Sequence, residues 1–374
     1  MKSNISFFLP VVLPFGATAA VYGFARVARC LRLIGSRLFH LVWTNFFDDF
    51  TQLDLVQSGS SDKSTAERFL ALLGWAFATK PQKRRDFAVE ADVLGAVVDL
   101  SNSHRDIIVV KNKPSRLEGL RETVASLRKE GWCSQPVAAS LRGRLTFAES
   151  QVFSRAASVM LPTLKARALH GSIGGVVGGS LFLELLWILD FLERSVPRMV
   201  VANDPRPPSV IMTDAFLGED GTAAGVGAVL LDHAARPERF MAARVPGATL
   251  ALLQQETKFV INALEVLPVL FVRRMWANRL LHSRTFIFID NDGARHSLMK
   301  AYSKSEAIQK VLRNIVSIQA EAPAYVWYCR VPSHSNIADA PSRGDIAALV
   351  EGGAARDVIP EEFWDLAGRC GSGA

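Results

Sequence analysis

The sequence predicts a mixed α/β protein, and three observations carry that expectation. Beyond residue 209, apolar runs of strand length alternate with longer stretches of helical spacing, the pattern of a mixed sheet flanked by helices. Residues 114–193 keep a helical period almost throughout, whereas residues 1–100 mix strand-like runs, turns and helix. At 374 residues, 49% hydrophobic and 21% charged, the chain can bury a core in two or three domains.

In the first hundred residues, 41–50 and 93–100 read as strands because aromatic and aliphatic side chains dominate them. A helix is expected over 63–73, with Asp62 or Ser64 as N-cap and Gly74 as its stop. Leu117, Leu120, Val124 and Leu127 recur every three or four residues, Gly131 should end that helix, and a second should cover about 136–155. Gly171, Gly174, Gly175, Gly178 and Gly179 lack the preceding strand and the Lys-Ser/Thr pair of a phosphate-cradling loop, so they read as a connector into an apolar helix over 181–192. Pro205, Pro207 and Pro208 forbid helix and weaken any strand, which puts a domain boundary near 203. Strands are then expected at 210–216, 223–231 and 238–245, one long helix at 249–276, a strand at 285–290, helices at 293–302 and 304–320, and a strand at 324–331. The resulting division is 1–104, 105–202 and 203–374.

The net charge of +7 is concentrated, with 12 Lys or Arg against 5 Asp or Glu between residues 105 and 167. Such a surplus suits a polyanionic partner, with a solvated helical face as the plainer alternative. Cys30, Cys133, Cys329 and Cys370 form no Cys/His ligand spacing, which argues against a zinc site and a disulfide scaffold. Lys2, an apolar run and Ala17-Thr18-Ala19 have the outline of a signal peptide, but Pro10, Pro14 and Gly16 interrupt it. An intracellular protein, cytoplasmic or nuclear, is expected, and no membrane partner, since Glu184 and glycines break the best apolar stretch at 171–189.

Four acidic residues stand out in the last half. Asp214 and Asp290 close the strand-like runs 210–214 and 285–290, where a strand end can carry a carboxylate from a core to an open edge. Glu265 lies within the long helical stretch, with Glu256 competing for its role, and Asp339 follows the polar segment after Val331. Convergent carboxylates of this number suit divalent magnesium, which takes oxygen ligands and keeps some of its waters.

Thr213-Asp214-Ala215, Gly225-Val226-Gly227-Ala228, Leu264-Glu265, Ile289-Asp290-Asn291, Val331-Pro332-Ser333-His334 and Asn336-Ile337-Ala338-Asp339-Ala340-Pro341-Ser342-Arg343 follow one another in an order that resembles the ribonuclease H domain of retroelement polyproteins. The resemblance covers about 210–345. It implies that Asp214, Glu265, Asp290 and Asp339 hold two magnesium ions, with manganese as a substitute, and that RNA is cut in an RNA–DNA hybrid. It selects Glu265 over Glu256. His334 resembles the family's mobile-loop histidine near the scissile phosphate, although its loop to Asp339 is shorter than in cellular ribonucleases H.

Asp48 and Asp49 sit together in an aromatic run, and adjacent carboxylates there suit a hairpin tip that presents both to a cation. Leu13-Pro14-Phe15-Gly16-Ala17 with Phe24-Ala25-Arg26 resembles the segment that precedes the Asp-Asp hairpin of reverse transcriptases; Leu73-Gly74-Trp75 and Val93-Leu94-Gly95 resemble later palm segments. Either Lys80 or Lys83 corresponds to the family lysine. The stretch with Ser140-Leu141-Arg142-Gly143-Arg144-Leu145 resembles the thumb and connection, which implies that Arg142 and Arg144 follow a nucleic-acid backbone. Only 12 residues precede Leu13, leaving no place for fingers or the first palm aspartate, so polymerase activity is expected to be absent. The expected activity is therefore magnesium-dependent ribonuclease H, and the alternative is an inactive nucleic-acid-binding remnant of a degenerate element.

Overall fold

Contacts divide the chain into two units after Gly95 in a computed structural model that describes residues 17–75, 86–152, 154–170 and 179–365. In the first unit, helix α1 (Thr18–Leu38) is followed by strands β1 (Trp43–Phe46) and β2 (Asp49–Gln52), helix α2 (Gly59–Leu72) and strand β3 (Glu90–Val93). The 41–50 run is thus a hairpin rather than one strand: Phe46 pairs with Asp49, and Phe47 takes a positive φ of 51° to close the turn. Leu31, Leu41, Trp43, Ala66, Phe69 and Leu70 form a small core. Gly35 is required there, because a Cβ at that position would lie 2.1 Å from the Trp43 ring. Helix α2 begins earlier than residue 63, as Asp54 binds the Leu55 N–H and the Ser58 hydroxyl and turns the chain into it. Leu13, Pro14, Phe15, Gly16, Lys80, Lys83 and the glycines of 171–178 lie outside the described residues.

The second unit opens with β4 (Ala96–Asp99) and β5 (Ile107–Lys111). The 93–100 run is broken by Leu94 and Gly95, both at positive φ. Helices α3 (Pro114–Glu130), α4 (Gln135–Ser150), α5 (Ala156–Met160), α6 (Pro162–His170) and α7 (Gly179–Arg194) follow, and β6 (Arg198–Val201) returns to pair with β5. Gly131 ends α3 in the left-handed conformation that glycine adopts at low cost.

Next come β7 (Ser209–Leu217), β8 (Ala224–Leu231), β9 (Pro237–Arg244), α8 (Gly247–Glu256), α9 (Val260–Met275), α10 (Ala277–Leu280), β10 (Arg284–Ile289), α11 (Asp292–Lys300), α12 (Glu306–Glu321), β11 (Tyr325–Arg330), α13 (Asp339–Ser342), α14 (Ala347–Glu351) and β12 (Ala355–Asp357). The strands form one sheet in the order β11-β10-β7-β8-β9-β12. β7, β8 and β9 are an antiparallel meander, while β10 runs parallel to β7 and to β11. This is the expected fold class, a mixed sheet flanked by helices. The expected 249–276 helix is two helices, because Thr257 is extended at φ −150°, ψ 142° and its hydroxyl accepts the Phe259 N–H at 3.1 Å.

Alternation along the strands gives the sheet two different faces. Ile211, Ala215, Val226, Ala228, Leu230 and Met241 belong to the main core, which also holds α9, α12 and the helices of 114–194. The proline-rich boundary near 203 therefore does not separate two compact units: Leu120, Leu141 and Leu185 share one core with the sheet. On the other face Val229, Phe240 and Ala242 pack with Ala338 and Leu349 beneath α13 and α14. No helix among the described residues is long and apolar enough to cross a membrane.

Gly225 and Gly227 let α13 rest directly on β8. A Cβ at Gly225 would lie 2.1 Å from the Ser342 carbonyl oxygen, and one at Gly227 would lie 2.6 Å from the Ser342 nitrogen and 2.8 Å from the Ala338 oxygen. Both obstacles are backbone, which cannot swing aside as a side chain can. Gly227→Ala should therefore cost about 1–3 kcal/mol of stability by overpacking, read as a lower denaturation midpoint; a midpoint equal to the parent would show that α13 is free to shift.

Candidate metal centre

The site forms where a parallel ladder ends. β7 and β10 pair from Ser209↔Thr285 to Met212↔Phe288, and in the same register Asp214 and Asp290 are the equivalent positions two residues further on. Beyond that point β7 continues to Leu217 paired with β8 alone. Asp214 is thus inside a strand, not at its end as expected, but it does stand at the end of the β7/β10 ladder. Asp290 follows the last residue of β10, as expected. Chain connections leave in opposite directions from β7 and β10, and such a switch point at the carboxyl ends of parallel strands is where open α/β sheets form crevices.

Glu265 reaches the same place from α9. That helix is buried from Ala263 to Arg273, because the sheet covers one side and α12 another. One carboxylate oxygen each from Asp214, Glu265 and Asp290 lie within 4.8 Å of one another. Asp214 and Glu265 are each only 4% exposed. Glu256 belongs to α8 and pairs with Lys310, so it is held in a structural ion pair away from this cluster.

Asp214 is oriented from two sides. The Ser342 hydroxyl donates to its Oδ2 at 2.6 Å and the Asn336 amide to its Oδ1 at 3.3 Å, while the same amide holds the Thr213 carbonyl at 3.0 Å. Burial pushes the Asp214 carboxyl up to about 6; the Ser342 bond opposes that rise, and the charges of Asp290 and Asp339 add to it. Glu265 rises well above the carboxylate range, first through burial and then through the charges of Asp214 and Asp290, with the Ala215 N–H opposing. Its Oε2 is buried and has no hydrogen-bond partner among the described residues. A buried carboxylate oxygen without a donor, beside two like charges, has the electrostatics of a cation ligand: a divalent ion removes the repulsion and satisfies the oxygen together. The donor set is all oxygen, which fits magnesium or manganese.

Asp339 is the first residue of α13, and its Oδ1 accepts the Arg343 Nε at 3.0 Å instead of joining the cluster of three. His334 is exposed on the 3-10 turn Ser333–Ser335. Two residues beyond Asp290, Asp292 holds Arg295 at 2.7 Å and Arg330 at 3.0 Å. Asp48 and Asp49 are both exposed at the hairpin tip of the first unit, and among the described residues no third acidic, histidine or cysteine side chain joins them at ligand distance. Arg142 is half-buried on α4, and Arg144 bridges to α3 through the Thr123 hydroxyl and the Gly119 carbonyl, both at 2.9 Å. The roles of Asn336, Ser342 and Arg343 were not assigned from sequence; their crowding around Asp339 in a short polar segment was the available signal.

No protein-family model matches the chain, and no curated protein does. Among solved structures it is similar to the N-terminal ribonuclease H domain of a Mycobacterium tuberculosis protein, at 14% identity and a TM-score of 0.31, over 40% of this chain and all of that one (100%). It is also similar to LC11 ribonuclease H1 in complex with an RNA/DNA hybrid, at 17% identity and a TM-score of 0.31, over 38% of this chain and 99% of that one. A third is a foamy viral protease-reverse transcriptase in complex with double-stranded DNA, at 13% identity and a TM-score of 0.38, over 83% of this chain and 49% of that one.

The raised carboxyls set a pH dependence for the metal-free protein. Well below the ordinary carboxylate values of about 4, both groups are protonated in folded and unfolded chains alike and cost nothing. As pH rises through their raised values, with Asp214 at about 6 and Glu265 also well above its ordinary value, the folded state keeps protons that the unfolded state has lost, and stability falls. Glu265→Gln in chelator should therefore raise Tm at pH 8 by at least about 2 °C, with the gain shrinking toward pH 5. A lower Tm for the variant at pH 8 would contradict this account of the site.

Proposed function

We propose that this chain is a divalent-metal nuclease of the ribonuclease H type, hydrolysing RNA in RNA–DNA hybrids with magnesium, and that it derives from a retroelement reverse transcriptase. The observation that carries the reading is the convergence of Asp214, Glu265 and Asp290 within 4.8 Å around a buried Glu265 oxygen that no donor satisfies. Those three residues would hold the cation. Bound there, a divalent ion supplies Lewis acidity toward a phosphodiester oxygen and activates water.

The chain's own groups do the rest. Ser342 and Asn336 fix the Asp214 carboxylate by donating to both of its oxygens, which sets which lone pairs remain for a ligand. Burial of Asp214 and Glu265 keeps bulk water from screening the site's charges. His334, exposed on the turn after β11, takes in this reading the proton-transfer role near the scissile phosphate. The basic helices of 105–167 supply phosphate contacts, and an intracellular location belongs to the same reading. In this reading the Asp48-Asp49 hairpin is the counterpart of the family's polymerase hairpin, and no third ligand joins it among the described residues.

Asp290→Asn should abolish cleavage of a labelled hybrid in magnesium while leaving the circular dichroism spectrum unchanged. Ser342→Ala should lose about 10–100-fold, the range of outer-shell partners. Near-parental cleavage by Asp290→Asn would sink the assignment, and the inactive binding-module reading would stand if hybrid affinity persisted without cleavage.

Affinity for hybrid should fall steeply with salt, and Arg142→Ala should reduce the magnitude of the logarithmic slope by about one if that side chain meets a phosphate. Arg144→Ala should also lower Tm, since its guanidinium ties α4 to α3. An unchanged slope in both variants would assign this face to solvent.

A further inference from the structure

Asp339 is the carboxylate left outside the cluster, and it is paired with Arg343. Asp339 and Arg343 are one turn apart on α13 and its C-cap, joined at 3.0 Å through Nε. The Arg343 guanidinium lies 4.9 Å from the centroid of the Phe216 ring. Phe216 is two residues beyond Asp214 on β7 and therefore on the same sheet face, opposite Gly225 as Asp214 is opposite Gly227. Stacking on that ring keeps the guanidinium beside the metal centre, near enough that its charge pulls the Asp214 carboxyl downward.

The two side chains are 54% and 47% exposed. A pair this open to water is weak, and it uses Nε alone among the donors that the structure assigns to Asp339. The guanidinium fork matches two oxygens of a phosphate, and charge-assisted paired bonds of that kind are the stronger ones. Arg295 and Arg330 are both engaged by Asp292, which lies two residues beyond Asp290 and belongs to no ligand cluster among the described residues. Among the described residues, only the Arg343 pair couples a cation to a candidate ligand.

We propose that Arg343 is a phosphate-binding residue of the nuclease site and that its pair with Asp339 is a latch. Without nucleic acid the latch holds Asp339 away from Asp214, Glu265 and Asp290. A backbone phosphate that takes the guanidinium releases Asp339 to join them, so the full set of carboxylates assembles only on substrate. This inference rests on the metal-dependent reading above, and it identifies a nucleic-acid phosphate as the group that completes the site.

The test is a manganese titration of the full chain, followed by the electron paramagnetic resonance of free ion, without nucleic acid. Arg343→Ala should bind manganese about two- to fivefold tighter than the parent, the scale of losing one exposed ion pair, or should take up a second ion. Asp339→Asn should match the parent, and adding it to Arg343→Ala should remove the gain. In cleavage assays Arg343→Ala should raise KM for hybrid about tenfold or more, with Arg343→Lys between it and the parent because charge is kept and the fork is lost. Manganese binding by Arg343→Ala equal to the parent, or a gain that survives in the double variant, overturns the latch while leaving the metal centre intact. Binding that survives Asp290→Asn instead overturns the metal centre, and the latch with it.

Discussion

The parting of β7 and β10 after Met212↔Phe288 is the constraint on which the site depends. While two strands stay paired, their neighbouring side chains are packed into the sheet's faces. Once the ladder stops, the next register positions face a gap, and here those positions are Asp214 and Asp290. β7 can leave β10 because β8 continues to hold it through Leu217↔Ala224. β10 stays anchored on its other side by β11 as far as Ile289↔Arg330. Each strand thus has a partner to hold it rigid while a carboxylate is exposed to the other.

Three carboxylates gathered in this way oppose folding. Two are nearly buried, and desolvation together with mutual repulsion drives both toward the neutral form. The surrounding residues offset this only in part. Ser342, Asn336 and the Ala215 N–H donate to Asp214 and Glu265, but Glu265 Oε2 is left without a donor. Glu149, the other carboxylate buried among the described residues, accepts the Ala157 N–H instead. Burial without a donor thus sets Glu265 apart from Glu149, and it suits an oxygen that a cation could satisfy.

Much of this was legible in the sequence. Strand boundaries after residue 209 were readable to within a residue or so, since β7, β8, β9, β10 and β11 are each bounded by turn residues and carry aliphatic or aromatic runs. Glu265 could be distinguished from Glu256 only by resemblance; the physical reason, a break at extended Thr257 that puts them on separate helices, has no strong local signal, since no proline or glycine occupies 257–259. The boundary near 203 misled because prolines report local backbone limits and not which cores merge across them; Leu120 and Leu185 meet the sheet regardless. Asp339 was expected among the ligands, but it pairs with Arg343 outside the cluster of three; that pair depends on the one-turn geometry of α13, which in turn depends on Gly225 and Gly227 letting that helix down onto β8. Such a contact between segments more than a hundred residues apart leaves only two glycines as its trace.

The central claim, that β7, α9 and β10 bring their carboxylates together to hold a divalent cation, is tested most directly by crystals of the full chain soaked in manganese and measured at the manganese absorption edge. The account predicts an anomalous peak ligated by Asp214, Glu265 and Asp290. Full soaking with no peak among those three residues, and Glu265 Oε2 bonded instead to a protein donor, would contradict it.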